Sequence, residues 1–308
     1  MSSQITKESM KSSSLIGHLA SFGAYAIFGL NIIFCKDIAN QSVLSPTVLF
    51  TFRALGAAAL FWLLSLFTKH TKVPPRDLLA MLGAGFLGLV MPQMTFLYAV
   101  GMTTPVDLSV VNSVTPIMTM FVAAIFLKEP ITLKKAGGVA LSFSGVIWLI
   151  FQSTHTGSVT HSSPLGIGIT ILNALCFALY LGVCRPIIQR YDVVTLMKWM
   201  FLFSLIIILP FSVGPLLQTD YSAVSSQVWW EVSYLVFFAT FVAYFLIPIG
   251  QQRIRPTLVS MYNYLQPIIA CIVGVALGMD TLTATKVLAA ALIFSGVAIV
   301  NKSRAKSA

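Results

Sequence analysis

Residues 112–132 read NSVTPIMTMFVAAIFLKEPIT, and residues 263–283 read NYLQPIIACIVGVALGMDTLT. A shift of 151 positions lays Asn112 on Asn263, Pro116 on Pro267, Glu129 on Asp280 and Thr132 on Thr283. The same shift places LSFSGV at 141–146 over LIFSGV at 292–297, and from 109 to 146 it gives 13 identities in 38 positions. Shared apolar composition does not produce that many, so the chain is a duplication.

What is duplicated follows from the solvent the chain is written for. Of its 308 residues, 57% are hydrophobic and 9% charged, with a mean hydropathy of +0.89; soluble domains carry roughly 25% charged residues. A membrane-crossing helix needs about 20 mostly apolar residues. Ten such stretches fall near 15–35, 46–67, 78–100, 106–127, 136–151, 165–184, 193–214, 229–251, 256–277 and 282–300. Runs such as Leu205 to Leu209 do not alternate, as the strands of a membrane barrel would. The expected fold is therefore an all-α membrane protein of ten transmembrane helices. Five spans per half is an odd number, so the second copy threads the bilayer in the opposite sense and the repeats are inverted.

Charge sets the orientation. With the N-terminus inside, 15 of the 19 Lys and Arg residues fall on the cytoplasmic side, which obeys the positive-inside rule and puts both termini in the cytoplasm. That distribution accounts for the net charge of +10 without a nucleic-acid partner. No removable leader is read in the polar segment before residue 15. Cys35, Cys176, Cys184 and Cys271 lie in apolar spans without a Cys-x-x-Cys pair, and the four histidines form no cluster. Neither a disulfide framework nor a metal site is expected. A phosphate loop is absent too, so no nucleotide, and no other cofactor, is expected.

The order and spacing of several short motifs resemble drug/metabolite transporters of the EamA type. They are Phe28 to Asn31 (FGLN), Arg53, the turn with Ser109 and Pro116, LKEPIT at 127–132 ahead of Gly145, and the weaker echo at 260–296. The resemblance covers about residues 15 to 300. The second half departs from it with Met279-Asp280 and with no arginine matching Arg53. It implies a cytoplasmic tail at 1–14, a first repeat at 15–151, an extracytoplasmic linker at 152–164, a second repeat at 165–300 and a basic cytoplasmic tail at 301–308. A multi-pass location in the inner (plasma) membrane goes with it.

Ionisable groups within spans mark function by default. Arg53 can serve as a fixed cation for a carboxylate or as an architectural residue bonding a neighbour's carbonyls. Lys198 is placed to snorkel. Asp107, behind Pro105, suits the first turn of a helix and is the acid through which proton coupling stays open; Glu129 and Asp280 read as surface or capping acids. Polar uncharged side chains in spans must face protein or water. The expected substrate-binding set is Asn31, Gln93, Tyr98 and Asn112 in the first half, with Asn173, Tyr180, Tyr244, Tyr262, Asn263 and Gln266 in the second. Pro116 and Pro267 are expected hinges, because proline frees a carbonyl and kinks a helix.

Two opposed repeats with a shared midplane site are the plan of many secondary transporters. The expected activity is not enzymatic. The EamA resemblance implies export, by alternating access, of small organic metabolites, foremost amino acids and their relatives. A nucleotide-sugar or organic-phosphate translocator is the alternative and would need a second cation at the cavity; a non-transporting protein that keeps the fold is another. Substrate identity, coupling ion and oligomeric state are left open.

Overall fold

A computed structural model describes residues 2–68, 71–126, 132–155, 162–279 and 281–302. Glu129, Asp280, residues 156–161 of the linker and residues 303–308 of the basic tail lie outside the described residues, as do the side chains of residues 1–13.

Among the described residues ten longer helical runs follow one another, with a short helix at Arg185–Arg190 and a 3-10 turn at Tyr221–Ala223 between them. They are α1 (Ser2–Gln41), α2 (Pro46–Ser65), α3 (Pro75–Met102), α4 (Pro105–Phe126), α5 (Leu133–His155), α6 (Pro164–Val183), α7 (Val193–Gln218), α8 (Ser226–Arg253), α9 (Pro256–Met261 continuing as Leu265–Ala276) and α10 (Ala284–Lys302). Among the described residues, eight are long and apolar enough to cross a membrane, and Ala284–Gly296 of α10 is a shorter apolar helix. α1 starts ahead of residue 15, where its span was expected.

Three helices start in the same way. Ser45, Thr104 and Ser163 each precede a proline at the first helical position and accept a bond from the main-chain N–H of Val48, Asp107 and Gly166. Hydroxyl caps and N1 prolines both suit the unpaired donors of a first turn.

The helix contacts come in exchangeable pairs. α1 packs on α8 and α9, while α6 packs on α3 and α4; α2 meets the middle of α8, as α7 meets the middle of α3. α2 pairs with α7, and α5 with α10. The local distortions repeat as well. α3 widens to a π-helix at Phe86–Val90 and α8 does so at Phe237–Val242, starting 151 residues apart. α4 breaks between Asn112 and Thr115, and α9 tightens at Tyr262–Tyr264. Each break lies just ahead of a proline, Pro116 or Pro267, whose ring clashes with the carbonyl four residues back.

α5 and α10 approach closely on matched glycines. A Cβ on Gly145 would stand 2.8 Å from the Ala289 carbonyl, and one on Gly296 would strike the carbonyl of Gly138. Between them, Ser142 Oγ donates to Ile293 O at 3.0 Å, again across 151 residues. Phe211, Leu217 and Ile125 lie 70%, 82% and 71% exposed. Apolar surface of that extent on the outside of a bundle belongs against lipid.

Candidate functional site

The segments that follow the π-turns and flank the proline breaks converge on a cavity between the helices. α1 supplies Tyr25, Phe28 and Asn31, and α2 supplies Arg53. From α3 come Pro92, Gln93 and Phe96; from α6, Asn173 and Phe177; from α8, Tyr244. Asn112 and Thr115 of α4 face Asn263 and Gln266 of α9. No carboxylate lines it among the described residues.

The floor is a network across the two repeats. Pro116 cannot donate to the carbonyl of Asn112, and that carbonyl accepts instead from Asn263 Nδ2 and from Thr115 Oγ1. Asn112 Nδ2 donates to Gln266 Oε1 at 3.1 Å, and Gln266 Nε2 donates to Asn263 Oδ1 at 2.7 Å. Thr115 and Gln266 are themselves 151 residues apart, so equivalent positions of both halves interlock here. The freed carbonyl thus becomes the pivot of a closed amide ring.

Arg53, 2% exposed, reaches the π-turn of α8. Its Nε donates to Thr240 Oγ1 at 2.8 Å and its Nη2 to Ala239 O at 3.4 Å, while Nη1 lies 3.9 Å from Cys35 Sγ. Thr240 in turn donates to Leu235 O, five residues back. A π-turn opens the i→i−4 ladder, which leaves main-chain acceptors for the guanidinium. Among the described residues no carboxylate lies within ion-pair distance of it. Arg53 therefore bonds a neighbour's backbone and also lines the cavity. α7 has no second cation in the matching place. Ser204 stands there, 3.4 Å from Gly85 O beside the α3 distortion.

Several polar atoms of the cavity are unpaired. Tyr25 Oη, Gln93 Oε1 and Gln93 Nε2 are buried without a hydrogen-bond partner among the described residues. Gln93 lies near enough to Tyr244 to sense its hydroxyl, yet makes no bond of normal geometry with it. Asn173 is satisfied, donating to Pro92 O and to Thr95 Oγ1, and Asn31 Oδ1 accepts from Cys35 Sγ at 3.6 Å. Buried polar groups are nearly always paired, and these atoms are free to bond water or a solute.

Seven residues of the expected binding set line this cavity: Asn31, Gln93, Asn112, Asn173, Tyr244, Asn263 and Gln266. Three stand elsewhere. Tyr98 is 44% exposed at the far end of α3. Tyr180 is buried with its ring against Gly88 of α3, in a core cluster rather than at the cavity wall. Tyr262 bonds His18 Nδ1 at 2.8 Å.

Asp107 also stands apart. Its Oδ2 accepts from Ser162 Oγ at 2.6 Å and lies 3.7 Å from Lys286 Nζ, all three buried. It is in the first turn of α4, but the capping side chain is Thr104. Lys198 does not snorkel; it is 4% exposed, with Nζ 5.0 Å from the centre of the Trp62 ring, a cation–π contact.

Sequence reasoning missed Tyr25, Phe28, Phe96 and Phe177, since aromatic residues are ordinary in any span. It also missed Glu231, a 4%-exposed acid inside α8.

Comparison with known proteins gives a consistent result. The chain is 23% identical over 255 residues to the uncharacterized transporter YyaM of Bacillus subtilis, covering 82% of this chain and 83% of that one. It is 24% identical over 263 residues to an uncharacterized transporter of Archaeoglobus fulgidus, covering 85% and 90%. A solved crystal structure superposes with a TM-score of 0.65 at 16% identity, over 95% of this chain and 97% of the other; at that identity the likeness speaks for the fold alone. The EamA-like transporter family matches residues 15–151 and 164–302. A bundle of apolar helices around a polar cavity, with both halves matched by one family, makes this chain a member of the EamA-like transporters of the drug/metabolite transporter superfamily.

Proposed function

We propose that the protein is a secondary carrier, in the inner (plasma) membrane, that exports small polar metabolites, amino acids and their relatives first among them. In this reading ten helices cross the bilayer as two inverted five-helix repeats, residues 15–151 and 165–300, with both termini in the cytoplasm. The exchangeable helix contacts and the paired distortions support the inversion, and the distribution of Lys and Arg supports the orientation. Two like halves can swap roles between outward-open and inward-open states of similar energy.

The observation that carries the proposal is the lining of the cavity. One guanidinium without an acid partner can receive a carboxylate, and Gln93 with the Tyr25 hydroxyl offers unpaired donors and acceptors. An ammonium group is served by the faces of Phe28, Phe96 and Tyr244. A zwitterion fits that pattern. Phosphate esters fit it less well, because Arg53 is the cavity's cation among the described residues and Lys198 is turned to Trp62.

The test is flux of a mixed radiolabelled amino-acid panel through proteoliposomes, comparing the wild type with Asn112→Ala/Asn263→Ala. Flux of one or more members, lost in the folded double variant, supports the proposal. Silence across the panel from a folded wild type, with organic phosphates transported instead, overturns the substrate class.

A further inference from the structure

Glu231 lies on α8 one turn before the π-helix, nine-tenths buried and with Oε2 unbonded among the described residues. Its other oxygen accepts from Gln227 Nε2 at 3.2 Å, and that same nitrogen donates to Asp37 Oδ2 at 3.2 Å. Two carboxyl groups thus share one amide donor, their oxygens no further apart than twice that distance. Asp37, on α1, is half-buried and also held by Gln41 at 2.9 Å. It opens to the end of the bundle where the 41–46 and 218–226 connections lie.

The groups around the pair leave Glu231 without a cation bonded to it. On α1, Lys36 donates to Val100 O of α3, and Cys35 Sγ lies 3.9 Å from Nη1 of Arg53, which lines the cavity. On α2, Arg53 is bonded to Thr240 and Ala239. On α8 itself, Tyr234 stacks on Phe34 and Phe238. An ionised carboxylate buried with one oxygen unbonded is costly, whereas one added proton supplies a donor for the facing carboxylate. Two acidic side chains meet here, and among the described residues no group of three His, Cys, Asp or Glu that could hold a metal ion is found.

We propose that Glu231 and Asp37 form a proton-binding site, in which Asp37 passes protons between water and Glu231 Oε2. The proton moves without any other bond changing. Its use in coupling rests on the carrier reading above; its existence does not.

The experiment is pH-difference infrared spectroscopy of the purified full chain in lipid nanodiscs, read at the protonated-carboxyl C=O stretch. A band that grows as pH falls, is lost in Glu231→Gln and has its midpoint shifted in Asp37→Asn supports the site. Glutamine keeps the size of the neutral acid and an acceptor for Gln227. An identical band in wild type and a folded Glu231→Gln variant overturns the proposal, as does the absence of any such band in the wild type; should Glu231→Gln fail to fold, an unmoved midpoint in Asp37→Asn does the same. Flux of the amino-acid panel, with and without an imposed pH gradient, reads the coupling separately. Wild-type silence there counts against the carrier reading, while the infrared result decides the proton site.

Discussion

Asn263 donates its side-chain amide to the main-chain carbonyl of Asn112, the residue 151 positions earlier that the repeat pairs it with. The bond exists because Pro116 leaves that carbonyl without its helical donor. Replacing Asn263 by Ala strips a partner from that carbonyl and from Gln266 Nε2, a loss expected at about 1–3 kcal/mol for a buried group. Asn112→Ala should cost a similar amount. Because both belong to one ring, the double variant should lose less than the two singles together, as read by unfolding midpoints of the full chain in detergent. Additive losses would show that the amides act independently.

Arg53 makes a sharper case for geometry over charge. Lysine keeps the cation but presents no fork, so Arg53→Lys should still lose the bonds to Thr240 and Ala239. Each bond to a charged donor contributes roughly 1.5–3 kcal/mol. Both Arg53→Lys and Arg53→Met are expected to unfold at lower temperature. If the guanidinium receives the solute's carboxylate, Arg53→Met should also cost at least tenfold in apparent affinity in the flux assay, with Arg53→Lys in between.

At the α5–α10 crossing, Gly296→Leu forces a side chain into the backbone of Gly138 and Ser142. Overpacking of this kind costs about 1–3 kcal/mol. Gly137 has nothing within 4 Å of its would-be Cβ, so Gly137→Leu serves as the control and should leave the midpoint nearly unchanged.

The buried pair Asp107–Lys286 predicts a double-mutant cycle. Removing one partner strands the other, at about 3–5 kcal/mol. Asp107→Asn and Lys286→Met should therefore each destabilise strongly, and the combined variant should recover part of the loss. No recovery would mean that Ser162 and Thr104, rather than the opposite charge, hold each group.

The duplication, the breaks before Pro116 and Pro267 and most of the amide lining are legible in the sequence, because they rest on residue identity at fixed spacing. Facing is not. Tyr98, Tyr180 and Tyr262 sit in helices apolar on every side, where period gives no inward direction. In α3 the π-turn at Phe86–Val90 adds a residue to one turn and so rotates everything after it, Tyr98 included. Nothing in the letters FLGLV announces that turn. Glu231 escaped for another reason: a single acid near the start of a span reads as a surface group until its neighbours are seen to bury it.

The Gly145/Gly296 crossing is isologous in the sense used for dimers: the same ridge serves both partners, residue for residue. Each half of the chain meets the other through the same ridge. Two halves held in one chain need not be identical. That freedom is visible in Arg53 and Ser204: one half holds the cavity's cation, and the other keeps a small hydroxyl where a second cation would have repelled the first.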